Sequence, residues 1–200
     1  MEVPNTQVTL LQRLRNPADE GAWTLFESRY RDLIVRFARS RGQQQADAED
    51  IAQAVMTSLC GAFGRFEYDR SRGRFRDYLF RSVRNAIARH AAKRRPTPGD
   101  GRLEEVEAPV GADGETWGQQ WEREWEREWE DHHVRLALTT IRRSFEPISV
   151  TVFERCLRGD AIRDIAADTA MSEQAVHKVK QRIRDRMKEL IAEQIRDEEE

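Results

Sequence analysis

Residues 161–184 read AIRDIAADTAMSEQAVHKVKQRIR, and the pattern of this stretch decides the fold class. A short amphipathic segment ends at the turn Thr169-Ala170-Met171, and the hydroxyl of Ser172 is suited to cap a longer segment that follows. Apolar residues recur at three- and four-residue spacing, which predicts a small core shared by two helices. The residues of this core are Ile162, Ile165, Ala166, Met171, Val176, Val179 and Ile183. The spacing is that of a helix-turn-helix.

The second helix of this motif is cationic on its outer face. The polar residues there are His177, Lys178, Lys180, Gln181, Arg182 and Arg184. Such side chains hydrogen-bond to base edges and phosphates when a helix lies in the major groove. A solvated charged face on a helical hairpin is the alternative interpretation. We expect a surface for double-stranded DNA.

A second cationic stretch precedes it in the chain. Residues 65–95 hold 11 basic side chains against three acidic ones, with aromatic residues interleaved. Cations neutralise phosphate and aromatic rings stack on unpaired bases, so this mixture favours single-stranded nucleic acid. The aromatics expected in the core are Phe63, Phe75 and Phe80. The expected base-facing residues are Phe66, Tyr78 and Asn85.

Helical periodicity dominates the remaining sequence. Asn16-Pro17 predicts the start of a long helix that Gly42 ends, and further helices are predicted from about Asp47 to Phe63 and over 75–93. The C-terminal part predicts helices over 134–145 and 149–157, before the helix-turn-helix. Residues 96–116 are rich in Pro, Gly and acid, which predicts a flexible linker.

Four tryptophans then follow at four-residue spacing: Trp117, Trp121, Trp125 and Trp129. Aromatics at helical spacing usually belong to a core, so this stripe is expected to pack against the C-terminal domain, with docking on a partner as the alternative. Glu122, Glu126 and Glu130 form a like-charge column, and the helix therefore needs its tryptophan contacts.

The net charge of −2 conceals three blocks of different sign. Residues 1–95 carry 18 basic and 11 acidic side chains, residues 96–133 carry 3 and 12, and residues 134–200 carry 13 of each. The sequence thus predicts an all-α fold with two small helical domains, over 1–95 and 134–200. An acidic linker over 96–133, ending in the Trp-rich helix, joins them.

Several functional classes lack support in the sequence. It contains no phosphate loop, dinucleotide fingerprint or zinc-ligand spacing, so no catalytic residue, metal or cofactor is expected. Cys60 and Cys156 match no metal spacing and are expected to be buried free thiols. No signal peptide or membrane-spanning run is present, which favours the cytoplasm and no membrane association.

Taken in order, four stretches resemble an extracytoplasmic-function (ECF) sigma factor of the sigma-70 family. Residues 10–23 (LLQRLRNPADEGAW) are similar to the opening of sigma factors abundant in planctomycete-type bacteria. Residues 47–54 (DAEDIAQA) resemble the polymerase-binding helix, and residues 73–85 (GRFRDYLFRSVRN) resemble the helix that holds the melted −10 element. Residues 145–187 look like the sigma-4 helix-turn-helix that reads the −35 element.

The resemblance implies partners and site residues. The partners are core RNA polymerase and promoter DNA, paired at −35 and unpaired at −10, with an anti-sigma factor as a further candidate. The polymerase-binding set is Asp47, Glu49, Asp50 and Gln53, of which Asp50 and Gln53 would contact the clamp helices of the largest subunit. The −10 set is Phe66, Arg74, Tyr78, Arg81, Arg84 and Asn85. The −35 set is Ser172, His177, Lys178, Lys180, Gln181, Arg182 and Arg184.

Within the −10 set, Phe66 and Asn85 would help to form a pocket for a flipped base, while Arg81 and Arg84 would hold the nearby backbone. The acidic linker would thread toward the active-site cleft and RNA exit path of the polymerase.

Two positions depart from the family pattern. Ala54 stands where the polymerase-binding helix usually carries Glu, and Glu49 is the expected replacement for the lost contact. Ala170 stands where the turn commonly carries Gly. Because Ala enters the left-handed region only at a cost of about 1 kcal/mol or more, a turn of different shape is expected.

Two other functions were weighed against this one. A dimeric helix-turn-helix regulator with an N-terminal sensor or oligomerisation domain would leave the basic-aromatic stretch unexplained. An enzyme acting on RNA would need a carboxylate cluster, and the sequence shows no pairing that singles one out.

Overall fold

The computed structural model describes residues 10–63, 74–94 and 117–199. These residues form helices and their connecting turns, with no strand among them, so the predicted all-α fold is confirmed. The helices are α1 (Leu10–Arg13), α2 (Glu20–Ser40), α3 (Gln45–Phe63), α4 (Phe75–Arg94), α5 (Trp117–Ser144), α6 (Pro147–Arg158), α7 (Ile162–Asp168) and α8 (Glu173–Glu199).

The chain divides into two compact units. The first comprises Met1–Glu130 and Asp197–Glu200, and the second comprises Asp131–Arg196. Both α5 and α8 contribute residues to each unit.

The core of the first unit is rich in aromatic side chains. Phe26 of α2 makes edge contacts with Phe63 of α3 at 5.9 Å and with Phe75 of α4 at 6.0 Å between ring centroids. Phe63, Phe75 and Phe80 are all buried, as predicted. Gly42, with a backbone φ of 81°, ends α2 and allows the chain to reverse into α3.

Three tryptophans of the stripe, Trp121, Trp125 and Trp129, pack into this same core. Trp125 and Trp129 are only 2% and 6% exposed, and their rings contact Phe37 and Tyr30 of α2 at centroid distances of 5.0 and 6.0 Å. The prediction that the stripe packs against the C-terminal domain is therefore wrong. Helical spacing correctly indicated a buried stripe, but it carries no information about which surface covers it.

The second unit buries the core predicted for the helix-turn-helix. Ile165, Ala166, Val176, Val179 and Ile183 are buried, and Ile162 and Met171 are partly buried against them. Ala137 and Ile141 of α5 and Val152 and Phe153 of α6 close the same core. Gly159, with a φ of 90°, ends α6.

Two helix starts differ from the predictions. The side chain of Asp19, not Asn16, caps α2 by accepting the amide hydrogen of Ala22, while Asn16 caps the preceding turn through Ala18. The helix predicted from residue 134 is the second half of α5, because no Pro or Gly interrupts the chain after Trp129.

Cys60 and Cys156 are free, but the prediction that both are buried is wrong. Cys60 is exposed and Cys156 is half-buried, because α3 turns Leu59 and Phe63 toward the core and Cys60 away from it. Every helix among the described residues is too polar or too short to cross a bilayer.

Candidate nucleic-acid interface

Helix α4 separates an apolar face from a polar one. Leu79, Val83 and Ile87, which recur at four-residue spacing, are buried. The exposed residues of the candidate −10 set on this helix and at its N-terminal end are Arg74, Arg81, Arg84 and Asn85. Positions 74, 78, 81 and 85 follow the three- and four-residue spacing of a single helix face. Phe66 lies outside the described residues.

Tyr78 lies at the edge of this polar row. Its ring makes an edge contact with buried Phe63, with 6.5 Å between the centroids, and the residue is half-buried. Burial raises the pKa of the Tyr78 hydroxyl, and the nearby positive charge of Arg81 opposes that effect. The hydroxyl therefore remains protonated at neutral pH and can donate a hydrogen bond to a nucleic acid.

The arginines of α4 differ in their availability. Arg76 forms an ion pair with Glu126 of α5, with 3.0 Å between Nη1 and Oε1. Arg81 and Arg84 have no ion pair with any residue that the structure describes. They line a groove of about 450 Å³ between α4 and α5, with Phe80, Trp125 and Glu122 among its other residues. Both arginines assigned to phosphate contact are therefore among the arginines of α4 without an ion pair in the described part of the chain, as is exposed Arg89.

The candidate polymerase-binding set lies along α3. Asp50 and Gln53 are exposed and three residues apart, so they share a face. Glu49 is already engaged within the protein, because its Oε2 accepts from Arg31 at 2.9 Å and its Oε1 accepts from Gln45 at 2.9 Å. Asp47 is half-buried, with its Oδ1 3.5 Å from His90 Nε2.

The turn of the helix-turn-helix contains a residue in the left-handed region. Ala170 has a φ of 52°, so the expectation of a differently shaped turn is wrong: alanine adopts the conformation that glycine would favour. The amide of Met171 donates to the carbonyl of Ala166 at 3.0 Å across this turn. Ser172 then caps α8, since its hydroxyl accepts the amide hydrogen of Ala175 at 3.2 Å.

The residues predicted to read double-stranded DNA lie along the first half of α8. His177 and Lys178 are exposed and have no hydrogen-bond or ion-pair partner among the described residues. Gln181 is held by Asp185, to whose oxygens its amide donates at 2.8 and 2.9 Å, and by Arg184. Lys180 is half-buried.

Arg182 packs within the second unit. Its guanidinium lies 5.3 Å from the ring centroid of Phe145, and its Nη2 lies 3.5 Å from the hydroxyl of Ser149. A cation over an aromatic ring is stabilised by the ring's negative face. Gln174, which is not in the predicted −35 set, is exposed in the first turn of α8. The N-terminal turns of a recognition helix are the part that enters the major groove, so this rule makes Gln174 a further candidate.

The structure thus collects two of the three candidate sets in one unit. The α3 and α4 sets lie on neighbouring helices of the first unit, and the α8 set lies in the second. No group of three His, Cys, Asp or Glu side chains within the described ranges could hold a metal ion.

Comparison with protein families finds a similarity within the first unit. Residues 27–97 match the family model described as Sigma-70 region 2. The matched segment contains most of α2 and all of α3 and α4, and the candidate polymerase-binding and −10 residues fall within it. This part of the chain is therefore similar to region 2 of the sigma-70 proteins.

This match supports a sigma-70 family sigma factor with a role in promoter recognition and transcription initiation. Sigma factors associate with RNA polymerase and are not themselves enzymes. No curated protein matches the chain.

Proposed function

We propose that the protein is an ECF-type sigma factor that binds core RNA polymerase and directs initiation at promoters with −10 and −35 elements. The observation that carries this proposal is the agreement between the region 2 match and the surface of α4. Its unpaired Arg81 and Arg84 lie beside Asn85 on a helix anchored by a buried aromatic core.

At the −10 element, α4 would bind a single strand. Arg81 and Arg84 would neutralise phosphates, while Tyr78 and Asn85 would hydrogen-bond to bases that have left the stack. Unstacking a base costs a few kcal/mol, and these contacts must offset that cost. The rigid attachment of α4 to the core supports this role, because an ordered site loses little side-chain entropy on binding.

At the polymerase, Asp50 and Gln53 would supply the contacts, since both are exposed on one face of α3. Glu49 is a poorer replacement for the family's glutamate at position 54 than expected, because both of its carboxylate oxygens already accept hydrogen bonds. Asp50 carries the free negative charge on this face.

At the −35 element, the N-terminal half of α8 would enter the major groove. His177 and Lys178 are the free donors there, and Gln174 extends the row toward the helix start. Arg182 would have to leave Phe145 to reach a base, so its contribution would be smaller than the sequence suggested.

Neither surface alone forms a large contact with DNA. Core polymerase would hold both units on one promoter, which makes the second binding event effectively intramolecular. The acidic segment before α5 would follow the cationic channels of the polymerase, and the protein would act in the cytoplasm. An anti-sigma factor would bind one of these same faces.

Reconstituted transcription tests this proposal. The full chain is added to core polymerase from the same source, and run-off transcripts are mapped on genomic DNA. We expect promoter-specific starts that Asn85→Ala and Lys178→Ala each reduce about tenfold, which corresponds to the loss of one good base or phosphate contact. Arg36→Ala and Lys188→Ala are the controls, because both side chains are exposed and neither makes a hydrogen bond or ion pair with a described residue of the candidate sets. Absence of specific starts would overturn the proposal.

Stoichiometry separates this function from that of a dimeric helix-turn-helix regulator. A sigma factor forms a one-to-one complex with core polymerase, whereas the regulator would be a free dimer that binds duplex DNA unaided. The region 2 match favours the sigma factor.

A further inference from the structure

Arg31 of α2 is the centre of a hydrogen-bond network that reaches the candidate polymerase-binding face. Its Nη1 donates to Gln53 Oε1 at 3.1 Å and to Glu27 Oε1 at 3.0 Å, and its Nη2 donates to Glu49 Oε2 at 2.9 Å. The remaining oxygen of Glu49 accepts from Gln45. One guanidinium therefore holds two side chains of the α3 set.

This arrangement determines which end of the Gln53 amide faces outward. A guanidinium has donors only, so the group it binds on Gln53 must be the carbonyl oxygen. The amide nitrogen Nε2, with its two hydrogens, is left without a partner among the described residues. Gln53 is exposed, so this nitrogen is available to another molecule.

We propose that Arg31 is a positioning residue of the polymerase-binding face, which orients the Gln53 amide so that its nitrogen donates to an acceptor on the polymerase. This inference rests on the proposed function. With Asp50 three residues earlier on the same face, the face offers one carboxylate and one oriented donor. The complementary surface must carry a cation opposite Asp50 and a carbonyl or carboxylate oxygen opposite Gln53.

A purely structural role for Arg31 gives a different expectation. Its ion pairs with Glu27 and Glu49 are partly exposed, with 34% of the Arg31 side chain accessible, and such pairs contribute little to folding. Loss of Arg31 should therefore change polymerase affinity more than it changes the melting temperature. Its effect should also depend on the presence of Gln53.

A double-mutant cycle with the full chain and core polymerase tests the proposal. The dissociation constant is measured by fluorescence titration for the wild type, Arg31→Ala, Gln53→Ala and the double variant, with melting temperatures in parallel. We expect each single variant to weaken binding by about threefold to tenfold, the range for one hydrogen bond. The double variant should be little weaker than either single one, since the two residues act through the same contact. Arg31→Lys should restore only part of the affinity, because an ammonium lacks the planar fork that spans both acceptors.

Arg36→Ala is the matched control, because Arg36 also lies on α2 and pairs with exposed Asp32 at 2.7 Å but makes no hydrogen bond or ion pair with α3 among the described residues. Additive effects of Arg31→Ala and Gln53→Ala would overturn the inference, as would an Arg31→Ala effect no larger than that of Arg36→Ala. Loss of affinity with Asp50→Ala but not with Gln53→Ala would also overturn this inference alone. If neither Asp50→Ala nor Gln53→Ala weakens binding, then this face of α3 does not bind the polymerase, and both the proposed polymerase contact and the inference are overturned.

Discussion

Ala170 has a backbone φ of 52°, a conformation in which the Cβ of an L-residue approaches the following carbonyl. The turn between α7 and α8 requires this conformation, and the buried residues on both sides hold the chain in it. The strain is thus offset by packing in the second unit.

Ala170→Gly is expected to stabilise the second unit. Relief of the left-handed strain contributes about 1–2 kcal/mol, and the greater freedom of glycine in the unfolded chain removes about 0.4–1 kcal/mol of that gain. The net increase in the free energy of unfolding should be about 0.5–1 kcal/mol, measured by urea denaturation. Ala167→Gly, within α7, is the control and should destabilise the protein. A loss of stability with Ala170→Gly would contradict the assigned turn.

Tyr30 is fully buried, and its hydroxyl donates to Glu198 Oε1 at 2.6 Å within the first unit. Burial and then the Glu198 carboxylate raise the pKa of Tyr30 well above its ordinary value, while Arg29 acts in the opposite direction. The folded protein therefore keeps this proton at a pH at which the unfolded chain releases it.

The stability of the wild type should consequently decline as the pH rises beyond about 10, where an unfolded tyrosine ionises. Tyr30→Phe removes this contribution, so its free energy of unfolding should be lower at neutral pH but should decline less steeply above about pH 10. Urea denaturation of both proteins between about pH 8 and pH 11 provides the measurement. Equal slopes would show that Tyr30 is not the titrating group.

At the scale of elements, the Trp-Glu-Arg-Glu repeat of α5 contains two patterns, a stripe of tryptophans and a column of glutamates. Trp125 and Trp129 are buried in the first unit and Trp121 is partly buried there, whereas the glutamate column is exposed, with Glu126 bound to Arg76 of α4. Like charges four residues apart weaken an isolated helix, so the tryptophan contacts must supply the stability of this segment.

Trp125→Ala should reduce the free energy of unfolding of the protein by about 3–5 kcal/mol, since it removes a fully packed ring from between Phe37 and Phe80. Circular dichroism during urea denaturation is the measurement, because the substitution also removes a fluorophore. Glu130→Ala on the same helix is the exposed control and should change stability by about 0.5 kcal/mol or less. A small effect of Trp125→Ala would mean that the stripe is not part of the core.

For the whole molecule, the unpaired Arg81 and Arg84 of α4 predict how the affinity for single-stranded DNA changes with salt concentration. Affinity for single-stranded DNA falls with salt on a logarithmic plot, with a slope of about −0.7 for each phosphate neutralised. Arg81→Gln combined with Arg84→Gln should therefore make the slope shallower by about 1.4, measured by fluorescence anisotropy with the chain bound to core polymerase.

The control for this measurement is Arg76→Gln. Arg76 lies on the same helix but already pairs with Glu126, so its replacement should alter the slope much less. If Arg76→Gln changed the slope as much as the paired substitutions, the distinction between free and paired arginines would be wrong.

Much of the fold could be predicted because helices depend on local spacing. The core of the helix-turn-helix and the buried face of α4 both follow from residues three and four positions apart. The start of α2 was harder to predict from the sequence, because Asn16 and Asp19 are both suitable N-cap residues. Only the structure shows that Asp19 caps α2.

By itself, the sequence determined that the protein is helical, where its cationic faces lie and where the apolar face of a helix runs, because these properties follow from the period of a single helix. Only the tertiary structure decided which of the polar residues remain free to act. Arg31 meets Gln53 22 residues later, and Arg76 meets Glu126 50 residues later. Such pairs depend on how helices pack rather than on local spacing, and they separate an available arginine from an engaged one.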